Sequence, residues 1–240
     1  MENLKSFLKK EVTGWKKWEV FWFFFGIVSI LGISLYLGDG MIEIAASVTG
    51  VACVILVGKG KISNYLFGTI NVVLYAVAAW EAKYYGDVML NLLYYFPTNI
   101  IGYFVWRKNM DEEVNEVYKK RMTLKQSILT AVLCVAGVAG YSVILNMLGG
   151  NLPIVDSMST VLSIVAQILM IKCLMEQWII WILVDVVSVI MWVAAFNGEG
   201  SSIAVLLMWV VYLANAVIMF IKWYKESKKE AVGDEKGNEV

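Results

Sequence analysis

Eight apolar runs of near membrane-crossing length, parted by short polar breaks, constrain this chain more than any single motif. They cover about residues 18–37, 41–57, 64–80, 87–106, 124–148, 156–174, 178–196 and 201–223. A bilayer requires roughly 17–25 apolar residues per helix. The chain is 60% hydrophobic and 17% charged over 240 residues, with mean hydropathy +0.69. One water-soluble core of this size cannot absorb so much apolar surface, so lipid must cover it. The predicted fold is therefore an all-α polytopic membrane protein with eight transmembrane helices.

The connections carry the remaining organisation. Polar breaks fall at 38–40, 58–61, 81–86, 149–151 and 197–200. The longest break, 107–122, is charged and reads as a short interfacial helix. Residues 1–17 hold Lys5, Lys9, Lys10, Lys16 and Lys17 around Leu4, Phe7 and Leu8. They read as an amphipathic surface helix or as a frayed basic tail, and not as a cleaved signal, since no small-residue cleavage site follows. Residues 225–240 read as a charged disordered tail.

Positive charge tests the count of eight, because alternate connections then share a side. One side receives the N-terminal lysines, Lys59, Lys61, the basic residues of 107–125, Lys172 and the C-terminal lysines; the other receives only Lys83. By the positive-inside rule both termini are cytoplasmic. Net charge is zero, which removes an argument for nucleic acid. There is no histidine, the commonest general base and metal ligand. Cys53, Cys134 and Cys173 lie far apart in apolar surroundings and read as inert. No catalytic residue, metal site or cofactor is expected.

A repeat runs through the chain. A constant offset of 113 residues relates Glu43 to Asp156, Ser47 to Thr160, Lys59 to Lys172, Asn64 to Gln177 and Tyr65 to Trp178. Tyr95 and Asn99 of the fourth run resemble Tyr212 and Asn215 of the eighth. Runs two to four and six to eight read as copies, and run five restores the orientation that three helices would flip. Transporters built from parallel repeats hold solute near the midplane between the halves. The boundaries are 1–40 for the basic segment and an extra helix, 41–106 for the first three-helix unit and 107–150 for the loop and inverting linker helix. The second unit spans 151–224, and the tail 225–240.

Inside the runs, polar side chains fall on helical faces. Trp178, Trp181, Asp185, Ser188 and Trp192 are spaced at steps of 3, 4, 3 and 4, one face of a helix. A carboxylate mid-span costs about 2.5–3.5 kcal/mol on insertion scales and must face protein, water or a ligand. Indoles beside it suit a flat aromatic or cationic ligand. Comparable stripes are Asn64 with Asn71, Asn91 with Tyr95 and Asn99, Asp156 through Gln167, and Trp209, Tyr212 and Asn215. Helix packing alone is the competing reading for each amide. Glu43 and Asp156, near the outer span ends, either cap helices or mark an outer mouth. Pro97 breaks the backbone ladder of the fourth run, as a static kink or a gating hinge.

These residues also carry a family resemblance. The stretch 61–72, KISNYLFGTINV, resembles the third-span signature of PnuC-type vitamin transporters, known chiefly for nicotinamide riboside. Asp156-Ser157, the segment 161–166 and Glu176-Gln177-Trp178 with Trp181 resemble the second-repeat signature, and Asn99, Gly102 and Trp106 the end of the first repeat. The resemblance covers about 41–223. It implies a facilitator in a 3+1+3 arrangement similar to SWEET sugar transporters, homotrimeric, in the bacterial inner membrane, with cytoplasmic phosphorylation by a kinase trapping the substrate. Four positions depart from the pattern: Asp185 stands where an amide is expected, Asn91 replaces Gln, Val155 an aromatic and Gln167 an apolar residue. Relatives carrying thiamine, riboflavin or deoxynucleosides keep those substrates open.

The resulting expectation is a vitamin facilitator. Trp178, Trp181 and Trp192 wall the ring, and Asp185, Asn71, Asn91, Gln167 and Asn215 bind base amide and ribose, with Tyr95, Asn99, Ser188 and Asn64 nearby. Glu43, Asp156 and Pro97 belong to mouth and gate. No Arg or Lys lies deep in a span to meet a phosphate. The competing reading is an ion-coupled transporter in which Asp185 titrates. A SWEET-type sugar transporter shares the architecture but not the motifs, and an intramembrane enzyme lacks a Gly-x-Ser-x-Gly turn and paired aspartates.

Overall fold

The structure is a computed structural model describing residues 4–111, 115–147, 149, 153–195 and 202–237. The breaks expected at 150–151 and 197–200, the run ends at 148, 196 and 201, and the side chains of Leu4, Phe7 and Leu8 lie outside the described residues. Its helices are α1 (Leu4–Val12), α2 (Lys17–Leu37), α3 (Met41–Lys59), α4 (Asn64–Glu81), α5 (Tyr85–Met89), α6 (Phe96–Arg107), α7 (Leu124–Met147), α8 (Pro153–Ile171), α9 (Gln177–Ala195) and α10 (Ile203–Gly237). Among the described residues, six helical stretches are long and apolar enough to cross a membrane, and Gln177–Val193 is a shorter apolar one. Apolar side chains on α2, α6 and α7 point outward, Phe21, Phe24, Phe104 and Leu133 among them, as a lipid-facing surface requires.

Packing is reciprocal. α3 lies against α4 and against α10; α8 lies against α9 and against α5–α6. α7 leans on α8, and α2 fills the groove between α3 and α10. The backbone around the starts of α4 and α9 is the same structure twice. Gly60 N–H donates to Val57 O, Lys61 to Leu56, Asn64 to Lys61 and Tyr65 to Ile62. At the 113-residue offset, Cys173 donates to Met170, Leu174 to Leu169, Gln177 to Leu174 and Trp178 to Met175. Gly60 and Cys173, which close the two preceding helices, both have positive φ, 81° and 60°.

Two expectations about connections are corrected. The segment after Arg107 contains no helix among its described residues: Met110 pairs antiparallel with Val117, and Lys120 pairs with Leu174. Val117 N–H donates to Gly60 O and Lys120 N–H to Cys173 O, so one strap binds both equivalent turns. Two of its charges, Glu116 and Lys119, are buried in ion pairs, while Lys108, Lys120 and Arg121 stay exposed. Glu19 bridges Lys59 at 2.9 Å and Lys222 at 2.7 Å. Glu116 bridges Lys59 and Lys119, each at 2.8 Å, and Lys119 reaches Glu226 at 3.3 Å. Burial disfavours a charged Glu116, but Lys119 and Lys59 outweigh it and hold its carboxyl below the usual range. Burial also disfavours a charged Lys119, yet Glu116 and Glu226 raise its pKa. At Lys61 burial prevails and the pKa is lowered.

The second correction concerns the C-terminus. Residues 225–237, expected as disordered, continue α10 as helix. The run is rich in Lys, Glu and Ala, good helix formers, and it extends a helix already nucleated by packing. Arg121 lies over the Tyr224 ring at 4.8 Å and so ties the strap to this extension.

Gly102 marks a close approach of α6 to α4. A Cβ there would stand 2.5 Å from Cε1 of Tyr65, a buried ring held edge-on by Trp106 at 5.3 Å. Gly102→Ala is expected to lower stability by about 1–3 kcal/mol, the usual range for overpacking. Gly32→Ala, where nothing lies within 4 Å, is the control; equal unfolding temperatures for both variants in detergent would contradict the packing.

Candidate functional site

Between the reciprocal helix pairs lies a cavity of about 120 Å³, lined from α3, α4, the helical stretch 85–107, α8, α9 and α10. Nine of the residues read as substrate-binding line it: Asn71, Asn91, Tyr95, Asn99, Gln167, Trp178, Trp181, Asp185 and Asn215. α9 contributes the two indoles and the carboxylate from successive turns of one face. Tyr95 and Trp181 come from opposite sides, with ring centroids 6.4 Å apart and planes inclined by 37°.

The segment that delivers Asn91 and Tyr95 is unusual. Residues Leu90–Tyr95 form a π-helical turn between α5 and α6, in which Phe96 N–H donates to Asn91 O. Pro97 follows at the start of α6. Proline lacks the N–H and crowds the carbonyl four residues before it. A widened turn relieves that crowding, and such bulges concentrate at functional sites. Pro97 thus shapes the wall of the cavity from outside its lining.

The amides divide by how they are satisfied. Asn215 is spent on structure, donating to Val54 O at 3.0 Å and accepting from Trp22 Nε1 at 3.1 Å. Asn71 donates to Ala46 O at 2.8 Å, Asn91 to Asp87 O at 2.8 Å, and Gln167 to Asn99 Oδ1 at 3.1 Å. Each then has its own amide oxygen left for a ligand. Asp185 is 3% exposed and lines the cavity. No hydrogen bond or ion pair engages its carboxylate among the described residues, and no Lys or Arg lines the cavity.

Three expected residues do not line it. Trp192 donates to Tyr75 Oη at 3.1 Å, and Tyr75 donates to Asp87 Oδ2 at 2.9 Å, so Trp192 stands behind Tyr75. Ser188 is buried off the lining. Asn64 folds back onto Lys61 O at 2.6 Å. Glu43, in the first turn of α3, lies near Asp39 and Glu81, and Asp156 is exposed in the first turn of α8. Sequence reasoning passed over Tyr75, Cys53 and Met208, which line the cavity, and kept Trp209 and Tyr212 out of the binding set although they do too. Tyr75 had a signal, since it lies one turn beyond Asn71 on the same face. Gly50 makes room for Tyr212: its Cβ would stand 2.0 Å from the Tyr212 hydroxyl.

A bundle of long apolar helices around an aromatic, amide-lined cavity defines a polytopic transporter of a small solute. The chain belongs to the nicotinamide mononucleotide transporter family, whose model matches residues 40–225. It is 42% identical to the nicotinamide riboside transporter PnuC of Neisseria mucosa, over 93% of this chain and 87% of that protein. It is 33% identical to the PnuC of Haemophilus influenzae, over 95% and 99%. A crystal structure of the vitamin B3 transporter PnuC superposes with TM-score 0.86 at 40% identity, covering 95% of this chain and 99% of that one.

Proposed function

We propose that this protein carries nicotinamide riboside across the bacterial cytoplasmic membrane by facilitated diffusion. The observation that carries the reading is the cavity itself: Trp178, Trp181 and Tyr95 offer faces for a flat ring, with free amide oxygens and a carboxylate for hydroxyls and amide. A lining without Lys or Arg favours the riboside over the mononucleotide, whose phosphate would enter without a cationic partner. The site roles expected above for Asn71, Asn91, Asn99, Gln167 and Asp185 belong to this proposal; Asn215 holds the cavity wall, and Trp192, Ser188 and Asn64 act behind it.

The reciprocal pairing of α3 with α10 and of α5–α6 with α8, and the duplicated turns before α4 and α9, support eight spans in a 3+1+3 parallel repeat of SWEET type. The unit boundaries 41–106 and 151–224 follow from it. The lysine-rich end bound by the strap is cytoplasmic, placing both termini there and Glu43 and Asp156 toward the outer mouth. A homotrimer, and a cytoplasmic kinase that traps the substrate by phosphorylation, complete the reading.

Flux into liposomes tests it. Labelled nicotinamide riboside should equilibrate without accumulating, independently of proton or sodium gradients. The mononucleotide should bind at least tenfold more weakly by titration calorimetry, with thiamine, riboflavin and deoxynucleosides as further arms. Accumulation against a gradient would favour the ion-coupled alternative, and equal binding of the mononucleotide would overturn the substrate.

A further inference from the structure

We infer that Asp185 makes this transporter select its substrate by the charge of the ring, favouring a pyridinium cation over the neutral reduced ring or one bearing a carboxylate. The inference rests on the riboside reading above. The observation behind it is a carboxylate 3% exposed, at cavity depth, with no hydrogen-bond or ion-pair partner among the described residues. The other buried carboxylates on the described helices are matched: Glu19 by Lys59 and Lys222, and Glu11 by Ser63 and Asn115; half-buried Asp87 accepts from the Tyr75 hydroxyl. The Tyr212 hydroxyl lies over Gly50, and Gln167 donates to Asn99.

An isolated carboxylate in such surroundings is expensive unless a cation or donors meet it. Nothing in the lining supplies a positive charge, and a cationic substrate would supply it. Asp185 lies one helical turn beyond Trp181, and side chains four apart on a helix are neighbours. A ring resting on the Trp181 face thus lies beside the carboxylate, where indole and carboxylate both attract a cation. The ring nitrogen of an oxidised nicotinamide riboside is quaternary and permanently positive. Hydride reduction of that ring removes the charge while keeping ribose and amide. Hydrolysis of the amide to an acid keeps the ring cation but adds an anion next to Asp185.

Binding of three ribosides tests this: nicotinamide riboside, its dihydro form and nicotinic acid riboside, titrated into the purified protein and into Asp185→Asn. The parent should bind the cationic riboside at least about tenfold more tightly than either other, a modest coupling for a close, buried charge pair. In Asp185→Asn the three affinities should draw within about threefold. The variant removes an uncompensated charge, so its thermal unfolding without ligand should occur at or above the parent temperature. The parent's own selectivity needs no variant: equal affinity for oxidised and dihydro rings overturns the inference, as does an unchanged ratio in Asp185→Asn. Failure of every riboside to bind the parent overturns the substrate reading, and this inference with it.

Discussion

Glu19→Ala is expected to lower the stability of the folded protein by about 3–5 kcal/mol, the range for removing one partner of a buried ion pair. Glu19 is 1% exposed and receives both Lys59 and Lys222. It also accepts the Lys16 backbone N–H at 2.8 Å, capping α2. Its removal leaves Lys222 with a weak contact to Gly58 O at 3.3 Å and the more distant Glu226, which is already paired with Lys119. Lys59 keeps Glu116 and the Gly14 carbonyl, so the uncompensated charge falls on Lys222. The double variant Glu19→Ala with Lys222→Met should therefore be more stable than Glu19→Ala alone. Unfolding temperatures in detergent for the two singles and the double decide it. If the double variant is no more stable than Glu19→Ala alone, the loss does not come from a stranded Lys222.

That network also explains where the sequence was legible. Hydropathy located the described ends of most runs to within a few residues, because a bilayer-facing helix announces itself by composition, but it ended the last run at 223 where the helix continues to Gly237. The strap after Arg107 was misread as an interfacial helix because its backbone is held by distant turns, at Gly60 and Cys173. Glu116 pairs with Lys59, Lys119 with Glu226 and Lys222 with Glu19, partners distant in sequence that no local window reveals. In the site, helical spacing placed Trp178, Trp181 and Asp185 together correctly, since they fall within two turns. It failed for Trp192, which shares their face but lies about 10 Å further along the axis from Asp185 at 1.5 Å per residue. Spacing gives the face of a helix and leaves depth undetermined. Tyr75 takes the place at the cavity that Trp192 was expected to fill.

Trp181→Ala is expected to weaken nicotinamide riboside binding by about ten- to a hundredfold. Loss of an aromatic stacking face costs about 1–3 kcal/mol per base, and 1.4 kcal/mol is a factor of ten. Trp181 is the indole that faces Tyr95 across the cavity. Trp178 is 2% exposed and packs edge-on against Trp223 at 5.8 Å, in an apolar cluster that borders the cavity. The two indoles should therefore separate by readout. Trp181→Ala should lose affinity with little change in unfolding temperature, whereas Trp178→Ala should lose stability as well, by about 3–5 kcal/mol for a large aromatic removed from a core. Trp181→Phe should recover most of the affinity, because it restores a ring face. Equal affinity in Trp181→Ala and the parent would place the substrate elsewhere. Rescue by leucine as complete as by phenylalanine would show that Trp181 fills space and does not stack.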